Sequence, residues 1–580
     1  MNISSNKPQL NNSYQVRTAQ SLNNSKDIKF KGWGNSALKF LADEPVWGAT
    51  IIDIAAMVLP RTWTDMKKRG YSAGFETGFR ESESSANDAA VGLYGVAAGA
   101  LIAKGLNKQY GVSAHKIFAS TDATDVLSTK WVKHKGNVDE YVKDIADNIE
   151  GYNPTSPKAN DKGFVRIPEE HKQAIIDDLK YIAEGPIKGM DQRWKEVHKR
   201  LNAKIVDATG AEREIRLVHK HGAFNRATVS TSKTLLDNYF NLTKAFKSDK
   251  VQGKLGGFIS KFKKFGNART GIGIAIAAVF AVGAQPLNVY LSKKRTGTDG
   301  FVGVEGRKKD NSFGFQLTKV ASAIGMCGIA LASMGALSKH VKKIPKLFME
   351  KNQYKGTNPT INQFKTVFGL AIASRLLTSR DKDEHREVIT KDVLGYFNWL
   401  MIGNVVNQLI LKKLQPKCAP SLLKMPVRAE NTSKFYSKLP RWGQKTLDLV
   451  SSSIATHTEI LVEGLKKERP DIKSLIKPDG KAMKFSEMLK ELPKGSETRK
   501  ALRFLNIAQI AGYVYSGVVL GIGIPNLNIA ITNHLDKKHK AAKVKMAEQS
   551  IQHKNNYTDK LVFRSSNVFN KFKEQAKTQG

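Results

Sequence analysis

The residues that could do chemistry in this chain are amides placed where charges are missing. In DVLGYFNWLMIGNVVNQLILKK, Asn404, Asn407 and Gln408 stand at i, i+3 and i+4, so they share one helical face. Asn506, Gln509, Tyr513 and Ser516 form a second such face in the last apolar segment. An amide turned toward lipid would leave hydrogen bonds unmade at a cost of several kcal/mol, so both stripes are expected to point into a helix bundle. There they either bond neighbouring helices, which is the plainer expectation, or line a path for an ion or polar solute. Transport paths usually hold an ionisable group at depth, and the apolar segments offer only Asp53.

Two prolines raise the same question. Pro286 and Pro525 each lack an N–H, free a backbone carbonyl, and are expected to kink or break their helices. Their surroundings are alike. Gly283-Ala-Gln-Pro-Leu-Asn-Val289 resembles Gly523-Ile-Pro-Asn-Leu-Asn-Ile529, and both segments later reach Leu-x-Lys-Lys, at Leu291 and Leu535. Broken helices at repeat positions point to a transporter site; shared membrane-helix composition is the simpler account. Asn288 and Asn528 follow the prolines and could bind an ion or repair the broken ladder.

KLGGFISKFKKFGNAR, residues 254–269, sets Phe258, Phe262 and Phe265 on one helical face, with Lys261, Lys263, Lys264 and Arg269 elsewhere. Aromatic residues opposite cations predict a helix lying on an anionic bilayer. Small residues form a further pattern: Gly95/Gly99 and Gly517/Gly521 have GxxxG spacing, and Gly325, Gly328 and Gly335 leave one side of a helix bare, as close helix packing in lipid or between copies of the chain requires. The run SRDKDEHRE, residues 379–387, reads as a solvated charge run. His219 and His221 alternate in LVHKHGAF, but with no Cys or other ligand clustered in sequence they predict no metal site. There is no GxxxxGK[ST], GxGxxG, GxSxG or HExxH, so neither a catalytic residue nor a cofactor is expected.

The elements that must position these residues are defined by missing charge. None occurs between Arg269 and Lys293, Lys319 and Lys339, Asp392 and Lys412, or from Phe504 to Asn533. Each gap reaches or exceeds the roughly 18 to 20 residues that cross a hydrocarbon core of about 30 Å. Pro45–Pro60, bracketed by Trp47 and Trp63, is expected to be interfacial or re-entrant. Ala89–Ala103 is short and needs a neighbour to cross, and Thr366–Ser374 is too short to span alone. Ile205–Val218 reads as a hairpin turning at Thr209-Gly210.

The expected organisation is therefore mainly α, combining Gly/Ala-rich membrane-embedded helices with polar helical domains. Its parts are a disordered N-terminus at 1–28, apolar helices at 29–112, a polar helical domain at 113–250, a basic amphipathic helix with a central apolar hairpin at 251–345, a second apolar region at 346–420, a second polar helical domain at 421–503, an apolar segment at 504–535 and a basic tail at 536–580. The N-terminus carries no cleavable signal pattern.

Across 580 residues, 93 Lys and Arg against 52 Asp and Glu leave a net charge of +41, which attracts polyanions. Only 41% of residues are hydrophobic and the mean hydropathy is −0.36, which excludes a chain made mostly of spanning helices. Two cysteines exclude a disulfide framework. The basic groups Lys293, Lys294, Arg295, Arg307, Lys308 and Lys309 lie at one end of the central hairpin and Lys339, Lys342, Lys343 and Lys346 at the other, so the positive-inside rule gives no orientation. The function expected first is a non-enzymatic membrane scaffold or organiser of anionic lipid surfaces, with homo-oligomerisation through the small-residue faces. Three alternatives remain: a transporter or channel, a soluble nucleic-acid-binding helical protein, and an enzyme whose site carries no short signature.

Overall fold

A computed structural model describes residues 33–43, 45–185, 192–221, 224–304, 308–338, 340–398, 403–426, 434–472 and 474–578. The expected disordered segment 1–28 lies outside the described residues, as do Arg307 and Lys339. The chain is 75% helical with 4% strand, so the mainly α expectation holds. Its helices include α1 (Leu59–Arg69), α2 (Tyr71–Ile102), α3 (Leu255–Thr296), α4 (Phe313–Ser333), α5 (Ile361–Thr378), α6 (Lys382–Val388), α7 (Gly403–Leu414), α8 (His457–Glu468), α9 (Glu497–Tyr515) and α10 (Ile524–Thr578). Two π-helical stretches matter below: Ile54–Val58, ahead of α1, and Ser516–Gly523, which joins α9 to α10.

Three helical segments are long and apolar enough to cross a membrane: Gln252–Thr296, Phe313–Ser333 and Glu497–Gln552. Only 33%, 28% and 33% of their apolar windows are buried, so most of that surface faces outward. A helix apolar all round yet mostly uncovered suits a hydrocarbon solvent better than water. α2 and the short helix Lys104–Tyr110, bent by 58°, together qualify as a broken span. The fourth charge-free stretch, Asp392 to Lys412, is partly outside the described residues and is not among the three.

Polar contacts fix how these helices run. Asn87 Nδ2 donates to Ala277 O and Asn288 Nδ2 to Glu76 O, both at 3.0 Å, so α2 and α3 are antiparallel. Ser374 Oγ donates to Val282 O at 2.9 Å, and Val367 and Ala371 pack with Ala277 and Ala281, so α5 runs parallel to α3. Lys365 Nζ donates to Ser333 O and Lys319 Nζ to Ser379 O, at 2.9 and 3.3 Å, which makes α4 antiparallel to α5. The fragment Thr366–Ser374 is thus the middle of α5, begun by a capping box between Thr360 and Gln363 and largely buried among its neighbours.

Neither proline breaks its helix. α3 is continuous through Pro286, and Pro525 sits in the first turn of α10. The carbonyl four residues before Pro286 is that of Val282, and it accepts the Ser374 hydroxyl instead. In the π-helical stretch the spacing is five, so Pro525 leaves Leu520 O without its ladder donor. Arg61 Nε fills that place at 3.0 Å. Asn288 and Asn528 repair neither ladder; they donate to the backbone carbonyls of Glu76 and Glu387, at 3.0 and 3.3 Å.

The segment 113–250 holds a four-stranded antiparallel sheet among its helices, in the order β2-β1-β3-β4, with β1 Ile149–Tyr152, β2 Phe164–Arg166, β3 Ile215–His221 and β4 Phe224–Ser230. The expected hairpin at Ile205–Val218 is replaced by the end of helix Gln192–Thr209, capped by Gly210 at φ +67°, followed by β3. The segment 421–503 packs around Leu461, Leu465, Leu502 and Leu505 and carries a small two-stranded sheet of β5 (Leu423–Lys424) and β6 (Ser453–Ile454).

The expected lipid-surface helix is also corrected. Phe258, Phe262 and Phe265, in the first half of α3, are buried in the core of the 113–250 domain beside Tyr110 and Phe246. Arg269 is buried too, donating to Ile117 O at 2.7 Å and Ala114 O at 2.9 Å. Lys263 pairs with Asp125, Lys261 donates to Gln109 at 2.9 Å, and Lys264 is exposed. The amphipathic face was real, but a protein core covers it.

The small residues divide. A Cβ on Gly521 would lie 2.0 Å from Ala56 O, so Gly517 and Gly521 let the two π-helical stretches touch. Gly95 makes room for the Tyr354 ring and Gly99 for the Arg269 guanidinium. Gly325 and Gly328 have nothing within 4 Å of a Cβ position; Gly335, at φ +65°, follows the end of α4.

Candidate functional site

Charged side chains converge inside the apolar bundle. At its centre Arg61 Nη1 lies 3.2 Å from Glu81 Oε2, Lys391 Nζ is 3.1 Å from Glu81 Oε1, and Arg375 Nη1 is 3.2 Å from Asp392 Oδ2. Arg375 Nη2 also donates to Arg80 O at 3.0 Å. These ionic side chains are all less than 10% exposed. Two independent contacts give the depth. Arg61 bonds Leu520, mid-way along the uncharged stretch Phe504–Asn533, and Arg375 adjoins Ser374, which bonds Val282, mid-way between Arg269 and Lys293. The network therefore lies at the middle of two segments long enough to span.

The charges continue toward the Lys293 end. Arg380 Nη2 lies 2.5 Å from Glu76 Oε1 and 2.9 Å from Glu384 Oε1, and Arg69 makes a bidentate pair with Glu387 at 2.5 and 2.9 Å. Thr77 donates to Asp65 at 2.5 Å, and Thr532 donates to Glu387. Two water-sized cavities, of about 10 and about 20 Å3, lie along this line and share Lys391. Residues 379–387 are thus no solvated run: Arg380 and Glu384 are each 2% exposed. Nor is Asp53 the lone ionisable group at depth; it accepts the Ser85 hydroxyl beside this network.

A second site gathers the amide stripes. A cavity of about 470 Å3 is lined by Asn404 and Asn407 of α7, Gln509 and Tyr513 of α9, His457 and Glu459 of α8, and Lys424, Ser453, Arg213 and Glu214. Gly512 lets α7 pack close to α9, because a Cβ there would fall 2.0 Å from Asn407 Oδ1. Gln408 and Asn506 stand just behind: Gln408 Nε2 donates to Ser452 O at 2.7 Å, and Asn506 Oδ1 faces His457 Nε2 at 2.9 Å. Asn288, predicted with them, lies elsewhere, in α3, where it donates to the backbone carbonyl of Glu76 at 3.0 Å.

The cavity's ionic groups are largely matched. Lys424 lies 2.9 Å from Glu459, and Arg213 donates to Ala42 O and approaches Asp43 at 4.0 Å. Burial holds the His457 pKa below the usual histidine value, and burial raises that of the adjoining Glu212 carboxyl, which accepts the Thr456 hydroxyl. Several polar atoms there have no hydrogen-bond partner among the described residues: Asn407 Oδ1, Gln509 Oε1, Ser453 Oγ and His457 Nδ1. Among the described residues no cluster of His, Cys, Asp or Glu is placed to hold a metal ion.

Comparison with protein-family models, with curated proteins and with solved structures finds no match.

Proposed function

We propose that this chain is an integral membrane protein that moves a small ion across the bilayer through the charge network of its bundle. One observation carries the reading: Glu81, Arg375, Asp392, Arg61 and Lys391 meet at mid-depth of apolar segments whose outer faces are uncovered. Charges inside a bilayer are costly and mark ion and proton paths. The line of charges toward Arg69 and Glu387, with its two water-sized cavities, supplies steps toward one side. A scaffold acting through the Phe258 face loses its support, because that face is occupied.

The test is flux in proteoliposomes under an imposed proton or potassium gradient. Wild-type protein relaxes the gradient, and Glu81→Gln and Asp392→Asn, reconstituted equally, slow it at least about tenfold. Relaxation no faster than in protein-free vesicles, with the protein folded and inserted, contradicts the reading.

A second reading keeps the lipid-surface role but moves it to the C-terminus. Between Lys537 and Gln552, α10 is exposed and carries Lys537, Lys538, Lys540, Lys543 and Lys545. Such a stretch suits an anionic leaflet, at about 1 kcal/mol per cation near the surface.

A further inference from the structure

We infer that the ion carried by the charge network is a proton, and that Asp88 holds it beyond Glu81 along α2, opposite to the line of charges toward Arg69. The inference rests on the bundle conducting an ion and goes on to name that ion.

Asp88 is a buried titratable group outside the pairs described above. It is 3% exposed, and its Oδ1 has no hydrogen-bond partner among the described residues. The charged groups that act on it are Asp53, Glu83 and Arg375, and Arg375 is already shared by Asp392 and Glu81. A carboxylate without a donor or a free cation in an apolar interior is costly, and a neutral carboxylic acid in the same place is far less so. The resting side chain therefore carries a proton.

Its position gives that proton a way in and a way out. Ser84 precedes Asp88 by one turn on the same face of α2, and lines the cavity of about 10 Å3 with Asp53, Glu81, Lys391 and Asp392. Lys391 also lines the cavity of about 20 Å3 that reaches Glu387. In the other direction Gly92, one turn beyond Asp88, lies so close to Thr357 that a Cβ would fall 2.4 Å from its carbonyl oxygen, and Thr357 is exposed. Asp88 thus stands about 6 Å along the helix from an exposed loop. Asp88 releases its proton through the Ser84 hydroxyl to a cavity water, the water passes one to the Asp53 or Glu81 carboxylate, and the Asp88 carboxylate is reprotonated from the Thr357 side.

Size and charge select against other ions. Each cavity has room for about one water, whereas a metal cation needs several oxygens in place of its hydration shell. Arg61 and Lys391 oppose a permanent cation in the first cavity, and its three carboxyl groups oppose an anion. A proton needs only a carboxylate or a water to receive it.

The test uses the full chain in proteoliposomes with entrapped pyranine, under a pH gradient with valinomycin present, and separately under potassium and sodium gradients with a protonophore present. We expect the pH gradient alone to relax. Asp88→Asn, which fills the same volume and cannot ionise, should slow that relaxation at least about tenfold while melting no lower than wild type in detergent, and Asp88→Glu should restore part of the flux. Relaxation of a potassium or sodium gradient while the pH gradient holds would leave the ion-moving reading standing and overturn this inference. Proton flux unchanged in Asp88→Asn, or a lower melting temperature in that variant, would remove Asp88 from the path. Relaxation of no gradient would overturn both readings.

Discussion

At the scale of single residues, the charges of the network are buried and paired. Arg375 is 2% exposed and faces both Asp392 and Glu81. Replacing it by Met leaves two buried carboxylates facing one fewer cation, which costs about 3–5 kcal/mol. Thermal unfolding in detergent should register that loss, whereas Lys264→Ala, on an exposed position, should stay within about 0.5 kcal/mol. A second prediction concerns pH. The folded His457 has a lower pKa than the unfolded chain, facing Asn506, Asp43, Lys39 and Arg213 in its buried place. The unfolded state therefore binds the proton first, and this site's contribution to stability is lost as pH falls below about 6.5. His457→Gln should flatten the decline in melting temperature between pH 7 and pH 5; an unchanged slope would place its origin elsewhere.

At the scale of elements, the prolines and glycines act as fitted contacts. Because Pro286 frees Val282 O for Ser374, the loss of stability in Ser374→Ala should shrink when Pro286→Ala restores the helix donor, and a double-mutant cycle measures the coupling. Gly521→Ala should destabilise the joint with Ile54–Val58, since its Cβ would meet a backbone oxygen, while Gly325→Ala should be neutral or stabilising by up to about 1 kcal/mol. Equal effects in detergent unfolding would refute that distinction. Asn404, Asn407, Gln509 and Tyr513 line one cavity, and helical periodicity alone sets which residues share a side. The charge network escaped it for a physical reason. Glu76 with Arg80, Arg61 with Asp65 and Arg380 with Glu384 stand four apart with opposite signs, the pattern of a solvated helix surface as well as of a buried one. Only packing tells them apart. The Phe258 face was equally ambiguous, since an amphipathic helix has the same stripe whether it meets lipid or a protein core.

At the scale of the whole molecule, the arrangement is a bundle with an apolar exterior and an ionic interior, joined to two folded polar regions. α3 serves both, since its first half completes the core of the 113–250 domain and its second half carries the uncharged stretch. One uninterrupted helix thus joins the polar domain to the bundle. The three long apolar segments were legible in the sequence because long runs without a charged residue can be read directly from it. The strands β1 and β2 were not: they have only 4 and 3 residues, too few for a period-2 pattern. The central claim is that the bundle sits in a bilayer, and extraction of membranes from expressing cells tests it most directly. Washed first with high salt and then with alkaline carbonate, the protein should stay in the pellet until detergent is added. Release by salt alone would mean that the net charge of +41 held it to a surface and that the uncovered helices do not cross a membrane.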